Sequence, residues 1–167
     1  GAVGTGTVSA GVLSLSLGTS GVAFAATPEA AKNPAGTIHS FAHANRGWHV
    51  MGVMLACGGA VSWAKSVLAP EASFDEFCRL AESAKPGCDG LTFLPYLSGE
   101  RCPVTEVRPM GTWAGLGLSH GRAEMARSVF EGVSFGMAGI AELVRPYVSA
   151  FSEVRVTGGG AQSRFWR

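Results

Sequence analysis

Two short stretches carry little side chain and much exposed backbone chemistry. The first is Gly18-Thr19-Ser20-Gly21, set between the apolar runs Leu13–Leu17 and Val22–Ala26. Such a tip offers two hydroxyls and several backbone N–H groups with almost no bulk, so a phosphate can approach closely and accept hydrogen bonds. By itself the stretch reads first as an ordinary tight turn with solubilising serines, and phosphate binding is the alternative. The second stretch is Gly158-Gly159-Gly160, between the strand-like Glu153–Thr157 and a helix start. Bare backbone there accepts a flat or charged group, and a helix N-terminus favours an anion. Strand-to-helix turns are where α/β folds bind ligands. No Lys-Ser or Lys-Thr follows the glycines, so this is not a P-loop, and the spacing is not G-x-G-x-x-G.

Other reactive residue types are less suggestive. His39 and His43 share a face with Phe41 in a strand-like alternation, which favours core or cleft histidines over metal ligands. No third metal ligand is evident. Ser20 lacks the context of a nucleophile elbow. Glu100 and Arg101 form an adjacent pair that either bridges in solvent, where it is worth little, or lines a cleft. Cys57, Cys78, Cys88 and Cys102 form no C-x-x-C pair and no zinc spacing. They read as free thiols of a reducing, cytoplasmic protein.

The elements that would hold the two turns follow from periodicity. Leu13, Leu15 and Leu17 alternate with Ser14 and Ser16, the pattern of a half-buried strand over about 12–17, and a second strand follows over 22–26. A further hairpin is expected over Ile38–Ala44 and Trp48–Met51, across Asn45-Arg46-Gly47. Helices are expected from near Val53 to Leu68, from Ser73 as cap with Glu76 at the third position and Phe74 facing inward, and over Arg122–Val144 with Ser119 as cap. Gly132, Gly136 and Gly139 in the last helix each lower helix propensity by roughly 1 kcal/mol, tolerable where another backbone packs close. Leu91–Leu94 reads as a short strand, the region of Trp113, Leu116 and Leu118 as a short strand or turn, and Pro95–Met110 as a long loop. Mixed strands and helices indicate an α/β domain with a mixed sheet flanked by helices.

Composition narrows the function. The chain has 167 residues, 47% of them hydrophobic and 15% charged, enough for a folded core. A net charge of +1 gives no electrostatic case for nucleic acid or a polybasic membrane anchor. Residues 1–28 are uncharged, but glycines and hydroxyl residues interrupt every apolar run and no basic leader is present, so neither a membrane span nor a signal peptide is expected. The first residue is Gly1, and Arg164–Arg167 stops where a helix should begin, as in part of a longer chain.

A longer pattern carries a resemblance. Gly111-Thr112-Trp113-Ala114-Gly115-Leu116, then seven residues, then Glu124-Met125-Ala126-Arg127-Ser128-Val129-Phe130-Glu131, resembles the C-terminal signature of the FGGY sugar kinases at every constrained position. Ser16–Gly21, Phe93–Arg101 and Gly158–Ser163 look like the xylulokinase branch of that family. The resemblance implies an actin-like, ribonuclease-H-like ATPase fold, with 1–167 as most of the C-terminal, ATP-binding domain. The N-terminal, sugar-binding domain would be absent from this chain and would be its partner, and the family pattern also admits a homodimer. The implied activity is ATP- and Mg²⁺-dependent phosphorylation of a ketopentose, D-xylulose to D-xylulose 5-phosphate. Ribulose, gluconate or glycerol as substrate, or a non-enzymatic actin-like nucleotide module, are the rival readings. By resemblance Gly18 and Thr19 contact the phosphates, Gly58 and Ser62 lie along the ribose or adenine, and Gly159, Gly160, Ala161 and Arg164 flank the adenosine. Several family members carry an amide where Ser62 and Arg164 stand. The family's catalytic Asp would fall just upstream of Gly1; no residue of this chain takes its place, and no metal ligand is expected within it.

Overall fold

Why the first two strands pair is plain from their ends: Gly18, Thr19 and Ser20 leave only three residues between Val12–Leu17 (β1) and Gly21–Thr27 (β2), enough for a tight antiparallel hairpin. The computed structural model describes residues 1–33, 35–101 and 109–167. His39–Ala42 (β3) and Trp48–Met54 (β4) add a second hairpin, and Glu153–Thr157 (β7) joins β1 in parallel, giving the order β3-β4-β2-β1-β7. Ser14 is 1% exposed, so β1 is an inner strand covered on both faces rather than half-buried. Alternation alone does not reveal that cover, because Ser14 reads as a solvent position.

Among the described residues four α-helices accompany the sheet: the short Ala2–Thr5 (α1), Gly58–Leu68 (α2), Phe74–Ser83 (α3) and Arg122–Val144 (α4). The helix expected from Val53 begins instead at Gly58. Val53 and Met54 stay in β4 because they pair with Val22 and Gly21 of β2, and ladder hydrogen bonds outweigh helical spacing. α4 is capped at Gly121 rather than Ser119; the Gly121 N–H donates to the Glu124 carboxylate at 2.8 Å. α3 starts as the sequence indicates. Ser73 Oγ accepts from the Glu76 N–H at 3.3 Å, while the Glu76 carboxylate accepts from the Ser73 hydroxyl and from the Ser73 N–H, each at 2.7 Å, and those two bonds to the carboxylate hold it below its ordinary range. Phe74, expected inward, is 38% exposed. The segment after Gly158 makes one 3₁₀ turn, Gly159–Gln162, where a helix start was expected.

α4 packs across β2 and β4, and its glycines explain how closely. A Cβ at Gly132 would strike the Phe93 carbonyl, and one at Gly136 would meet Met54 at 2.8 Å; Gly139 has open space around it. Val129, Val133, Ile140 and Val144 of α4 are fully buried with Phe77 of α3 and Val61 of α2. Each such side chain stabilises the fold by about 1.5–3 kcal/mol relative to exposure. Thr92–Leu94 (β5) and Thr112–Ala114 (β6) form a separate two-stranded sheet. Residues 102–108, with Cys102 and part of the long loop, lie outside the described residues. Cys57, Cys78 and Cys88 are free and buried. No helix among the described residues is long and apolar enough to cross a membrane.

Candidate functional site

The 18–20 tip is bonded to the start of α2. Gly58 N–H donates to the Gly18 carbonyl at 2.8 Å, and the N–H groups of Cys57 and Gly59 donate to the Thr19 carbonyl, each at 3.0 Å. These bonds occupy the donors a helix leaves unsatisfied at its first turn, so α2 needs no side-chain cap. They also orient the tip. In a trans peptide the N–H lies opposite the carbonyl, so with both carbonyls turned onto α2, the Thr19 and Ser20 N–H groups point away from it. Anion-binding capacity therefore sits on the tip itself, not on the α2 N-terminus. Only glycine fits at 58, where a Cβ would lie 2.6 Å from the Gly18 carbonyl oxygen.

The second glycine turn arrives beside the first because β1 and β7 are parallel and in register, Leu15 opposite Val156 and Ser16 opposite Thr157. Both strands end at the same edge of the sheet, where open α/β folds bind ligands. Gly158 has φ 89°, and a Cβ there would stand 2.6 Å from the Leu17 carbonyl oxygen. A Cβ on Gly160 would fall 2.8 Å from the Leu17 Cβ and 2.5 Å from the Trp166 ring. Gly159 has nothing within 4 Å of its would-be Cβ, so that bare position opens to space. The two turns border one cleft of about 660 Å³, within the range of small-molecule sites.

Six of the eight anticipated residues line this cleft: Gly18, Thr19, Gly58, Ser62, Gly159 and Gly160. Ala161 and Arg164 are not in its lining; Ala161 is half-buried in the 3₁₀ turn and Arg164 is exposed. Gln162, Ser163 and Trp166 line it instead, with Leu17, Phe74 and Asp75. Phe74 and Asp75 open α3, and the Ser73 cap was the one signal that fixed their place at a helix start. Ser163 Oγ accepts from the Trp166 N–H at 3.2 Å, which folds the chain back so that the indole reaches Gly160. Asp75 is the only carboxylate among the described lining residues, and no group of three or more potential metal ligands occurs among the described residues.

A family model, described as the FGGY family of carbohydrate kinases, C-terminal domain, matches residues 13–167. The chain belongs to this family. It is 41% identical to the xylulose kinase of Klebsiella pneumoniae over 168 residues, which cover 100% of this chain and 34% of that protein. Its fold superposes on a xyloylose kinase from Brucella ovis with a TM-score of 0.87 at 37% identity, covering 99% of this chain and 34% of the other. For a ligand-bound xylulose kinase from Lactobacillus acidophilus the TM-score is 0.90 at 27% identity, with the same coverage. The mixed sheet with its helices is thus the actin-like, ribonuclease-H-like ATPase fold of the FGGY kinases. The chain spans about a third of the length of these relatives.

The FGGY signature itself does not touch the cleft. Trp113 donates through Nε1 to Ser128 Oγ at 3.0 Å, and its ring packs on Phe93 and Trp63 with centroids 4.8 and 5.7 Å apart. Arg127 bridges Glu131 at 2.7 Å and donates to the Ala84 carbonyl at 3.0 Å, while Glu131 accepts from the Gly87 N–H. Burial and the Glu131 carboxylate push the neighbouring Cys88 thiol up to about 11, so it stays protonated and inert. These residues tie α4 to β6, to α3 and to the turn before β5. The pattern that identifies the family is a packing brace.

Proposed function

We propose that this chain is most of the C-terminal, nucleotide-binding domain of an ATP-dependent sugar kinase that converts D-xylulose to D-xylulose 5-phosphate. The observation that carries the reading is the convergence of two bare-backbone turns at Leu17 and Gly18, bordering one cleft. A triphosphate at the tip would accept hydrogen bonds from the Thr19 and Ser20 N–H groups and from the Thr19 hydroxyl. The open backbone at Gly159, with Ser62, Gln162 and the Trp166 ring, would take the adenosine. Mg²⁺ fits this donor set only as an ion carried by the phosphates, whose charge it would screen. In the transfer the sugar 5-hydroxyl attacks the γ-phosphorus, the bond from that phosphorus to the β–γ bridging oxygen breaks, and ADP leaves. The proton passes to a carboxylate base, which with the sugar site belongs to the remaining two-thirds of the protein. Closure of that part over the cleft keeps water from competing as acceptor.

The test is ADP release by the longer protein with D-xylulose, D-ribulose, L-ribulose, D-gluconate and glycerol. Fastest turnover with D-xylulose is expected. Preference for another member of the panel would reassign the substrate, and ATP consumption indifferent to every sugar would remove the kinase reading.

A further inference from the structure

The phosphate-facing tip has a second anchor, far away in the chain. The β2–β4 ladder ends at the pair Gly21 and Met54. Just past it, Leu55 is held at both of its backbone groups. Its N–H donates to Glu100 Oε1 at 3.2 Å, and its carbonyl accepts from Ser20 Oγ at 3.4 Å. Glu100 Oε1 also accepts from the Arg101 N–H at 2.8 Å, so the carboxylate closes its own loop around itself rather than pairing with the Arg101 guanidinium. β3 reaches only as far as Met51, through its pair with His39, so it gives no ladder support to residues 52–55. Two residues further on, Cys57, Gly58 and Gly59 grip the Gly18 and Thr19 carbonyls. Leu55 is therefore the link between the end of the sheet, the platform under the tip and the 95–101 loop.

We propose that Glu100 is a positioning residue for the phosphate-binding tip: by fixing the Leu55 amide it holds residues 55–59, and through them Gly18, Thr19 and Ser20, in the geometry that receives the triphosphate. The proposal rests on the nucleotide reading given above. A charged acceptor suits this task because hydrogen bonds to carboxylates are roughly twice as strong as neutral ones. A misplaced donor weakens phosphate orientation even when the fold survives.

The experiment compares wild type with Glu100→Ala, Glu100→Gln and Ser20→Ala in the longer protein, reading KM for ATP, KM for sugar, kcat and melting temperature. Nucleotide-dependent turnover by wild type is the precondition; its absence would sink the nucleotide reading and not speak to Glu100. Given turnover, Glu100→Ala raises KM for ATP by about tenfold, with KM for sugar within about twofold. Glu100→Gln keeps an acceptor oxygen and recovers most of that loss. Ser20→Ala, which removes an exposed hydroxyl without disturbing the loop, raises KM for ATP by about threefold. Unchanged KM for ATP in folded Glu100→Ala overturns the proposal. Equal damage from Gln and Ala also overturns it, since the charge would then act on the reacting groups directly. Should Glu100→Ala fail to fold, an unchanged KM for ATP in folded Ser20→Ala overturns it instead.

Discussion

Glycines 158 and 159 are neighbours with opposite reasons to be glycine. Gly158 has a positive φ and a would-be Cβ 2.6 Å from the Leu17 carbonyl oxygen, so its substitution acts on the fold. Gly159 has ordinary φ and open space, so its substitution acts on whatever occupies that space. Gly158→Ala is expected to lower stability by about 1–3 kcal/mol, read as a fall in melting temperature. Gly159→Val should leave melting unchanged and weaken ATP at least tenfold by titration calorimetry; intact affinity would remove that turn from the site. Thr19→Val keeps side-chain volume but deletes the hydroxyl, and should cut kcat/KM for ATP by about tenfold. Both turns were legible as Gly-rich stretches. Phe74, Asp75, Gln162 and Trp166 were not, because nothing local marks a residue as facing a cleft built by distant strands.

At the scale of the element, the β3–β4 hairpin carries a pH response. His43 lies just past β3 and is buried, and its Nδ1 stands 3.2 Å from His49 Nδ1 on β4, with Phe24 and Phe41 packed on His49. One of the two nitrogens must donate, so the pair cannot accept two protons and keep this bond. Burial first, then the charge of His43, lowers the His49 pKa below its ordinary value. A depressed folded pKa contributes stability that is present above the unfolded value, near 6.5, and is lost as pH falls below it. Melting temperature should therefore fall between about pH 7 and pH 5, and His49→Gln should flatten that slope; an identical slope would show that the pair is not its source. Spacing alone sets His43 on a strand beside Phe41. The contact with His49 depends on the hairpin register, Phe41 opposite His49, which apolar spacing does not fix.

The cleft at the sheet edge is assembled from residues that span nearly the entire chain, from Leu17 to Trp166. Strand pairing β1 with β7 is what joins its ends, and the order of the remaining elements was readable in outline from apolar periodicity, capping residues and glycine placement. The boundaries that shifted, at Gly58 and Gly121, are those where pairing or backbone hydrogen bonds overrode local preference. The cleft holds one carboxylate among its described lining, Asp75, on α3 rather than on the tip. These 167 residues by themselves should therefore give no sugar-dependent ATP consumption, and measurable D-xylulose phosphorylation by the isolated chain would show that the base is here.

Trp166 stands where the cleft meets the core, its ring edge against Gly160 and its Nε1–H donated to Ser134 Oγ at 3.1 Å. The other three indoles, Trp48, Trp63 and Trp113, lie outside the cleft lining. These 167 residues thus carry their own optical probe: with those three replaced by phenylalanine, Trp166 would be their single emitter, and a nucleotide seated as proposed would exchange water for purine at the indole and shift its colour without any label.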